Sequence, residues 1–146
     1  MPMVSKDFEQ VIKFRQALHS GTLIRLPIVE VSIIAPSGKK RNIPLLFDTG
    51  ASTTMLSAKL YSLLELQSWN QGTPCNITNA SPVLAQGYQY QASMEIFGKV
   101  IACPVILLQL PHNPLYQGLL GRNTIFDEFG FEFWERTQDL YITANP

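Results

Sequence analysis

The sequence has few of the side chains that would assign it to a specialised class of protein. It contains two cysteines, Cys75 and Cys103, and two histidines in 146 residues. A disulfide framework needs a richer cysteine pattern, so we expect buried free thiols. His19 and His112 lie far apart in the sequence, with no Cys or His at ligand spacing. We therefore predict no metal site and no cofactor.

An excess of charge of one sign is also missing. Lys and Arg together number 11, as do Asp and Glu, so the formal net charge is zero. The short basic run Lys39-Lys40-Arg41 is narrower than the broad positive patch that phosphate binding needs. The longest aliphatic stretch, Val100 to Leu108, contains a proline and is far too short to span a bilayer. Met1 to Gln10 is too polar for a signal peptide. We predict a protein of the reducing cytoplasm, with no nucleic-acid partner and no membrane segment.

The length fits a single domain with one core. Ser5 to Ser20 places apolar residues at helical spacing, with Gly21 as a stop signal, which predicts a short amphipathic helix. From Thr22 onward the pattern changes to the alternation typical of strands, as in Ile28 to Ile33. We expect hairpin turns at Pro36 to Lys39 and at Phe97-Gly98, the second of type II′, and a closing hairpin near the C-terminus. We therefore divide the chain into an N-terminal helical extension, residues 1–21, and a β domain, residues 22–146.

One stretch of the β domain combines an apolar strand with an acid. Leu45, Leu46 and Phe47 lead directly into Asp48, and Gly50 allows the backbone to turn sharply around the carboxylate. An acid at the mouth of an apolar run is costly unless hydrogen bonds or a function hold it there. The alternative is that Asp48 only starts a turn or caps a short helix.

A second apolar segment is expected at the centre of the fold. Gly118 to Leu120 would form this strand, and Gly121 would permit a close approach to the Asp48 loop. Asn123 is a candidate cap for a short helix that follows it.

Two motifs carry a family resemblance. Phe47-Asp48-Thr49-Gly50-Ala51-Ser52 resembles the active-site loop of aspartic proteases, and Leu119-Leu120-Gly121-Arg122-Asn123 resembles the second signature of the single-domain, retropepsin-like branch. Two motifs in the right order are far more specific than a lone Asp-Thr-Gly. The resemblance covers roughly Leu23 to Ile142. It implies a mainly β fold, a closed acid-protease-like β-barrel with a flap hairpin and one short helix near the C-terminus.

The resemblance also implies an activity and its residues. Asp48, Thr49 and Gly50 would be catalytic, and the chain would be an aspartic endopeptidase. Because only one Asp-Thr-Gly is present, the second carboxylate would come from a second copy of the chain, in a homodimer acting on a peptide or protein substrate. Gly50, Ala51 and Ser52 would contact the substrate.

The flap is the other substrate-binding element that the resemblance implies. Residues Tyr88 to Ile96 alternate apolar and polar side chains, which predicts a long strand paired with Cys75 to Thr78. The turn between them would bring Asn79, Ala80 and Ser81 onto the substrate. A viral flap tip is richer in glycine than this one, and an ordinary surface hairpin is the alternative.

Other functions remain open at this point. The same barrel and cleft without catalysis would make a peptide-binding or dimerisation module. A third interpretation is a domain excised from a retroelement polyprotein. The intact Asp-Thr-Gly favours the enzyme, whereas Arg122 lacks the acidic partner that its viral counterpart has after the Asp-Thr-Gly, because Ser52 and Thr53 stand there.

Overall fold

The computed structural model describes residues 10–77 and 85–145. These residues are mainly β, as the sequence predicted. The strands are β1 (Gln10–Lys13), β2 (Arg15–His19), β3 (Thr22–Leu26), β4 (Ile28–Ile34), β5 (Lys40–Phe47), β6 (Thr54–Ser57), β7 (Thr73–Ile77), β8 (Ala85–Ile96), β9 (Lys99–Leu108), β10 (Gly118–Leu120), β11 (Phe129–Trp134) and β12 (Asp139–Ala144). A 3₁₀ helix covers Ala58–Leu64, and α1 covers Ile125–Glu128.

Six strands form a closed ring of hydrogen-bonded neighbours. Their order is β4-β5-β10-β6-β9-β8, and β8 pairs with β4 to close the ring, while β7 pairs with β8. The closing contact is short and includes the pair Ile33 and Met94. The pairs β5–β10 and β6–β9 are parallel, and the other pairs of the ring are antiparallel.

The core is built from one face of each strand of the ring. Alternate residues of β5 are buried, because successive side chains of a strand point to opposite faces. Leu45, Leu56, Met94, Leu107 and Leu120 come from five different strands and are almost inaccessible to solvent. Full burial of one such side chain stabilises the fold by about 1.5–3 kcal/mol. The core therefore fixes where each of these strands ends.

The two thiols are free, as the sequence predicted, but they differ in burial. Cys103 lies in the core and Cys75 is only partly buried. Burial raises the pKa of Cys103 to about 11, because the charged thiolate loses its hydration. Burial also raises the pKa of Cys75. Both thiols are therefore protonated near neutral pH.

The predicted N-terminal helix is wrong over the described residues. Gln10–Lys13 is a strand paired with β12, and Arg15–His19 is a strand paired with β3. Burial alternates from Gln10 to Phe14, with a period of two. Ser20 and Gly21 have positive φ angles of 51° and 79°, so the glycine that was interpreted as a helix stop forms a hairpin turn. Cross-strand pairing outweighed the helical spacing of the apolar residues.

Several of the predicted turns are present, and one differs in type. The hairpin at Pro36 to Lys39 joins β4 to β5. The tight turn between β8 and β9 has positive φ at both Phe97 (51°) and Gly98 (80°). This is the pattern of a type I′ turn, not of the type II′ turn that the sequence predicted.

The C-terminal elements match the expected short helix followed by a hairpin. Thr124 precedes α1 in place of the predicted cap Asn123, and no side-chain cap bond is present there. β11 and β12 form the closing hairpin, and β1 pairs with the outer edge of β12. Lys13 on β1 forms an ion pair with Asp139 on β12, with 2.7 Å between Nζ and Oδ1. This ion pair and a hydrogen bond from Thr137 lower the pKa of Asp139.

Candidate functional site around Asp48

Asp48 lies at the point where two parallel strands end together. β5 and β10 are paired in register, with Phe47 opposite Leu120. The backbone N–H of Asp48 donates to the carbonyl of Leu120 over 3.0 Å, which extends this pairing by one residue. The apolar run and the Leu-Leu-Gly segment were both predicted to reach the centre of the fold, and both do. Asp48 is therefore positioned by the core rather than by a free loop.

The carboxylate of Asp48 is half-buried and held by the loop that follows it. The N–H of Gly50 donates to Oδ1 over 2.9 Å. The N–H of Ala51 donates to the Asp48 carbonyl over 3.1 Å, which closes the turn. A Cβ on Gly50 would lie 3.2 Å from Oδ1, so a larger residue would push against the carboxylate. A side chain at this position would have to displace the carboxylate by a few tenths of an ångström.

The Asp48 loop is clamped by the backbone that follows β10. The N–H of Arg122 donates to the Ala51 carbonyl over 3.0 Å, and the N–H of Asn123 donates to the Ser52 carbonyl over 2.8 Å. These two bonds join the two sequence motifs directly. Because they are backbone bonds on both sides, they fix the path of the chain without using the side chains of either motif.

Gly121 makes the clamp possible. A Cβ at this position would lie 2.4 Å from the carbonyl carbon of Thr53 and 2.8 Å from the nitrogen of Thr54, so only glycine fits between the two segments. This close approach was predicted from the sequence. Thr54, whose contribution was not predicted, supports it, because its fully buried hydroxyl accepts the N–H of Gly121 over 3.1 Å. The sequence could not indicate this role, because Thr54 follows two other hydroxyl residues, Ser52 and Thr53, and no pattern distinguishes it from them.

The other predicted site residues differ in where they lie. Thr49 and Ser52 are exposed beside Asp48, whereas Ala51 is buried under the clamp. The Ala51 side chain therefore packs beneath the loop, whereas Thr49 and Ser52 are accessible to a ligand. Asn79, Ala80 and Ser81, which were assigned to the flap tip, lie outside the described residues.

Both segments predicted for the flap are strands, but their pairing differs from the prediction: Tyr88 to Ile96 pairs along its whole length with β9, and Cys75 lies opposite Gly87. β7 and β8 pair antiparallel from Thr73 opposite Gln89 to Ile77 opposite Ala85. Tyr90 on β8 accepts the N–H groups of Gln71 and Gly72 through its hydroxyl, over 2.8 and 2.7 Å, and donates to the Trp69 carbonyl. One phenol thus fastens the chain that enters β7 to β8. The sequence analysis did not single out Tyr90 for this role.

Aromatic rings surround the residue that precedes Asp48. The Phe47 ring lies 5.8 Å from that of Phe126, 4.7 Å from that of Phe131 and 5.1 Å from that of Phe133, all in edge-on geometry. Phe126 and Phe133 are 37% and 38% exposed, and Trp134 is 37% exposed. We call Phe126 and Phe133, which both pack against Phe47, the aromatic face; Trp134 follows Phe133 in the strand and lies on its opposite side. Within the described residues, β11, which carries Phe133 and Trp134, pairs only with β12.

Asp48 supplies one carboxylate that is accessible to water and held in one orientation. Such a group can accept a proton from a water molecule. Within the described part of the chain, no Lys, Arg or His forms an ion pair with it, since the four ion pairs involve Lys13, Arg15, Lys40 and Lys99. Among the described residues, the site thus consists of one oriented carboxylate that is not ion-paired.

Comparisons with known proteins add no relatives, because neither a protein-family model nor a curated protein sequence matches the chain. None of the helices in residues 10–77 and 85–145 is long and apolar enough to cross a membrane.

Proposed function

We propose that the chain is a retropepsin-like aspartic endopeptidase that acts as a homodimer. One observation carries this proposal: the Asp48 loop and the segment Gly121 to Asn123 are joined by backbone hydrogen bonds around one oriented, accessible carboxylate. A residue that only started a turn would not need a second motif, distant in sequence, to hold the loop. The ring of strands that delivers both motifs to one place also supports the closed-barrel form of the fold.

The reaction would use two Asp48 carboxylates, one from each copy. Two carboxylates in close contact cannot both ionise readily, so they share one proton. The ionised one takes a proton from water, while the protonated one donates a hydrogen bond to the scissile carbonyl. The water oxygen bonds to the carbonyl carbon, the C–N bond breaks, and a proton passes to the departing nitrogen. Thr49 would link the two loops, and Gly50 would contact the peptide.

The surface near Asp48 supports the need for a second copy. The aromatic face lies next to Phe47, and exposed aromatic side chains are typical of the cores of protein interfaces. The outer edge of β11 pairs with no strand in residues 10–77 and 85–145, so it offers backbone groups for pairing. β1 covers the β12 edge of the closing hairpin, so among the described residues the β11 edge is the one left for a second copy.

Mixing experiments with Asp48→Asn test whether two chains share one site. If each dimer needs two intact carboxylates, activity toward a peptide library falls with the square of the wild-type fraction once the subunits have exchanged. A linear fall would mean that each chain carries its own site, which would reject the shared dyad. Sedimentation of the variant checks that it still associates as the wild type does.

Thr49→Val tests the link between the two loops. Loss of the hydroxyl would leave buried partners unsatisfied in the dimer, so the dissociation constant should rise about tenfold. Ser52→Ala, which removes another exposed hydroxyl of the same loop, is the matched control and should leave the dissociation constant unchanged. An equal effect of both changes would remove the special role of Thr49.

A silent peptide-binding or dimerisation module is the second candidate. Arg122 favours it, since this exposed guanidinium forms no ion pair with any described residue, whereas in viral relatives the matching arginine is paired. A wild-type chain that binds library peptides but leaves them uncut, at every pH between 3 and 8, would establish the module and exclude the peptidase.

A further inference from the structure

A second feature of the fold lies at the opposite end of the strands that hold Asp48. A cavity of about 550 Å³ is bordered by Pro44 of β5, Ser57 of β6 and Gly118 of β10. Pro44 precedes Asp48 by four residues, which is about 13 Å along a strand. Small-molecule sites typically have volumes of about 300–1,000 Å³, so the cavity has the size of a ligand site.

The walls of this cavity are fixed by hydrogen bonds. The N–H of Gln117 donates to the Pro44 carbonyl over 2.8 Å, and the N–H of Ser57 donates to the Gln117 carbonyl over 2.9 Å. The Asn113 side chain accepts the N–H of Leu115 over 2.8 Å, and Pro114 between them has a restricted φ angle. A site whose walls are already ordered loses less entropy on binding.

The lining is apolar with basic and hydrogen-bonding groups at its edge. Leu60, Leu110 and Leu119 contribute aliphatic surface, and Lys59 and His112 contribute an ammonium and an imidazole. None of the described residues that line the cavity is Asp or Glu. Lys59 also forms no ion pair with any described side chain. The cavity thus presents an uncompensated positive charge beside an apolar space.

We infer that this cavity binds a small monocarboxylate with an apolar body, such as a medium-chain fatty acid. The aliphatic part would bury against the three leucines, where each CH₂ removed from water contributes about 0.8 kcal/mol. The carboxylate would pair with Lys59 and accept the N–H that His112 offers in either charge state. This binding site is separate from Asp48 and does not depend on the peptidase proposal.

An NMR titration with three probes tests the ligand class. Octanoate has both features, 1-octanol keeps the chain without the charge, and acetate keeps the charge without the chain. Octanoate should bind most tightly and shift the backbone signals of Leu60, Gln117 and Leu119 in ¹H–¹⁵N spectra. Equal affinity for octanol or for acetate, shifts confined to other parts of the chain, or no shifts at millimolar octanoate would overturn the inference.

Variants of one lysine test the contact with the carboxylate. Lys59→Gln should weaken octanoate binding about five- to tenfold, since a partly exposed charge-assisted contact is lost. Lys59→Arg should restore most of the affinity, and Lys39→Gln in the β4–β5 turn is the matched control that should change nothing. Because Lys59 is exposed, these variants should fold as the wild type does. An unchanged dissociation constant in Lys59→Gln would reject the assigned contact.

Discussion

The two ends of the central strands β5, β10 and β6 are built in opposite ways. At one end, backbone hydrogen bonds join the Asp48 loop to Arg122 and Asn123, and a single carboxylate faces outward. At the other end, the same strands open into a cavity edged by Lys59, and Asp48 is not among the residues that line it. One end carries an acidic side chain on a hydrogen-bonded loop, and the other end carries a basic side chain beside a cavity.

This difference separates two kinds of site. The cavity is lined by residues of one chain, so the proposed ligand would not need a second copy. At the other end, Asp48 follows Phe47, whose ring packs against the exposed Phe126 and Phe133. Under the peptidase proposal, the other wall of the cleft comes from a second copy of the chain. We therefore expect activity at the Asp48 end to depend on protein concentration and binding at the cavity to be independent of it.

Asp48→Asn should have the largest effect and should affect only one end. Loss of the ionisable carboxylate removes acid–base catalysis, so peptide hydrolysis should fall by at least about a thousandfold. Octanoate binding at the cavity and the thermal unfolding midpoint should stay as in the wild type. Hydrolysis that persists would place the chemistry outside the Asp48 loop, and a parallel loss of octanoate binding would mean that the two ends are not separate.

Gly121→Ala should be the next largest change. The added Cβ would lie 2.4 Å from the Thr53 backbone, so the clamp has to move apart, at a cost of about 3 kcal/mol in the free energy of unfolding. Chemical denaturation measures this loss. Gly130→Ala, where the added atom would meet two side chains and no backbone, Thr143 at 3.1 Å and Asn145 at 3.6 Å, is the matched control and should cost less than about 1 kcal/mol. Equal losses would show that the clamp is not tightly packed.

Thr54→Val tests the buried bond beneath the clamp. The N–H of Gly121 would lose its acceptor while the shape is kept, which should cost about 2 kcal/mol. Hydrogen exchange at the Gly121 amide should become faster in this variant. Thr54→Ser keeps the acceptor, so it should cost about 1 kcal/mol for the lost methyl and leave Gly121 protected. Unchanged protection in Thr54→Val would mean that another group accepts this N–H.

Asp139→Asn should give the smallest effect and leave both ends intact. The folded-state pKa of Asp139 is lowered, mainly by Lys13, so its contribution to stability is present above the unfolded pKa and is lost as pH falls through the folded pKa. The variant should therefore be less stable than the wild type at pH 7, with a difference that narrows on acidification toward pH 2. Denaturation at several pH values measures this, and a difference that does not depend on pH would contradict it.

The strands at the centre of the fold were predictable because the residues that indicate them are neighbours in the sequence. An apolar run that ends in Asp48 and Gly50 is a strand followed by a turn in any context, and the glycine at 121 predicted a close approach of backbones. The resemblance supplied the pairing of the two motifs. The hydroxyl of Thr54 was not predictable, since its role depends on which amide lies opposite it.

The N-terminal segment shows why another part was not predictable. Val11, Ile12 and Leu18 fit a helical spacing, but Val11 and Leu18 are exposed in the structure and Phe14 is buried. Residues Gln10–Lys13 form strand β1 because they pair with β12, which lies more than a hundred residues later in the chain and supplies their hydrogen-bond partners. The cavity was missed for a similar reason, because Lys59 and His112 are brought together only by the ring.

The clamp over Asp48 has a consequence for the order of folding. Gly121 and Thr54 are 67 residues apart, and the loop between them holds β7, β8 and β9. Closing so long a loop costs entropy before the contact is formed, which slows folding and favours late assembly. During synthesis, Asp48 emerges well before the residues that orient it. A nascent chain thus passes through a period in which the carboxylate is present and its support is not, so any peptidase activity would be delayed until the last quarter of the chain has docked.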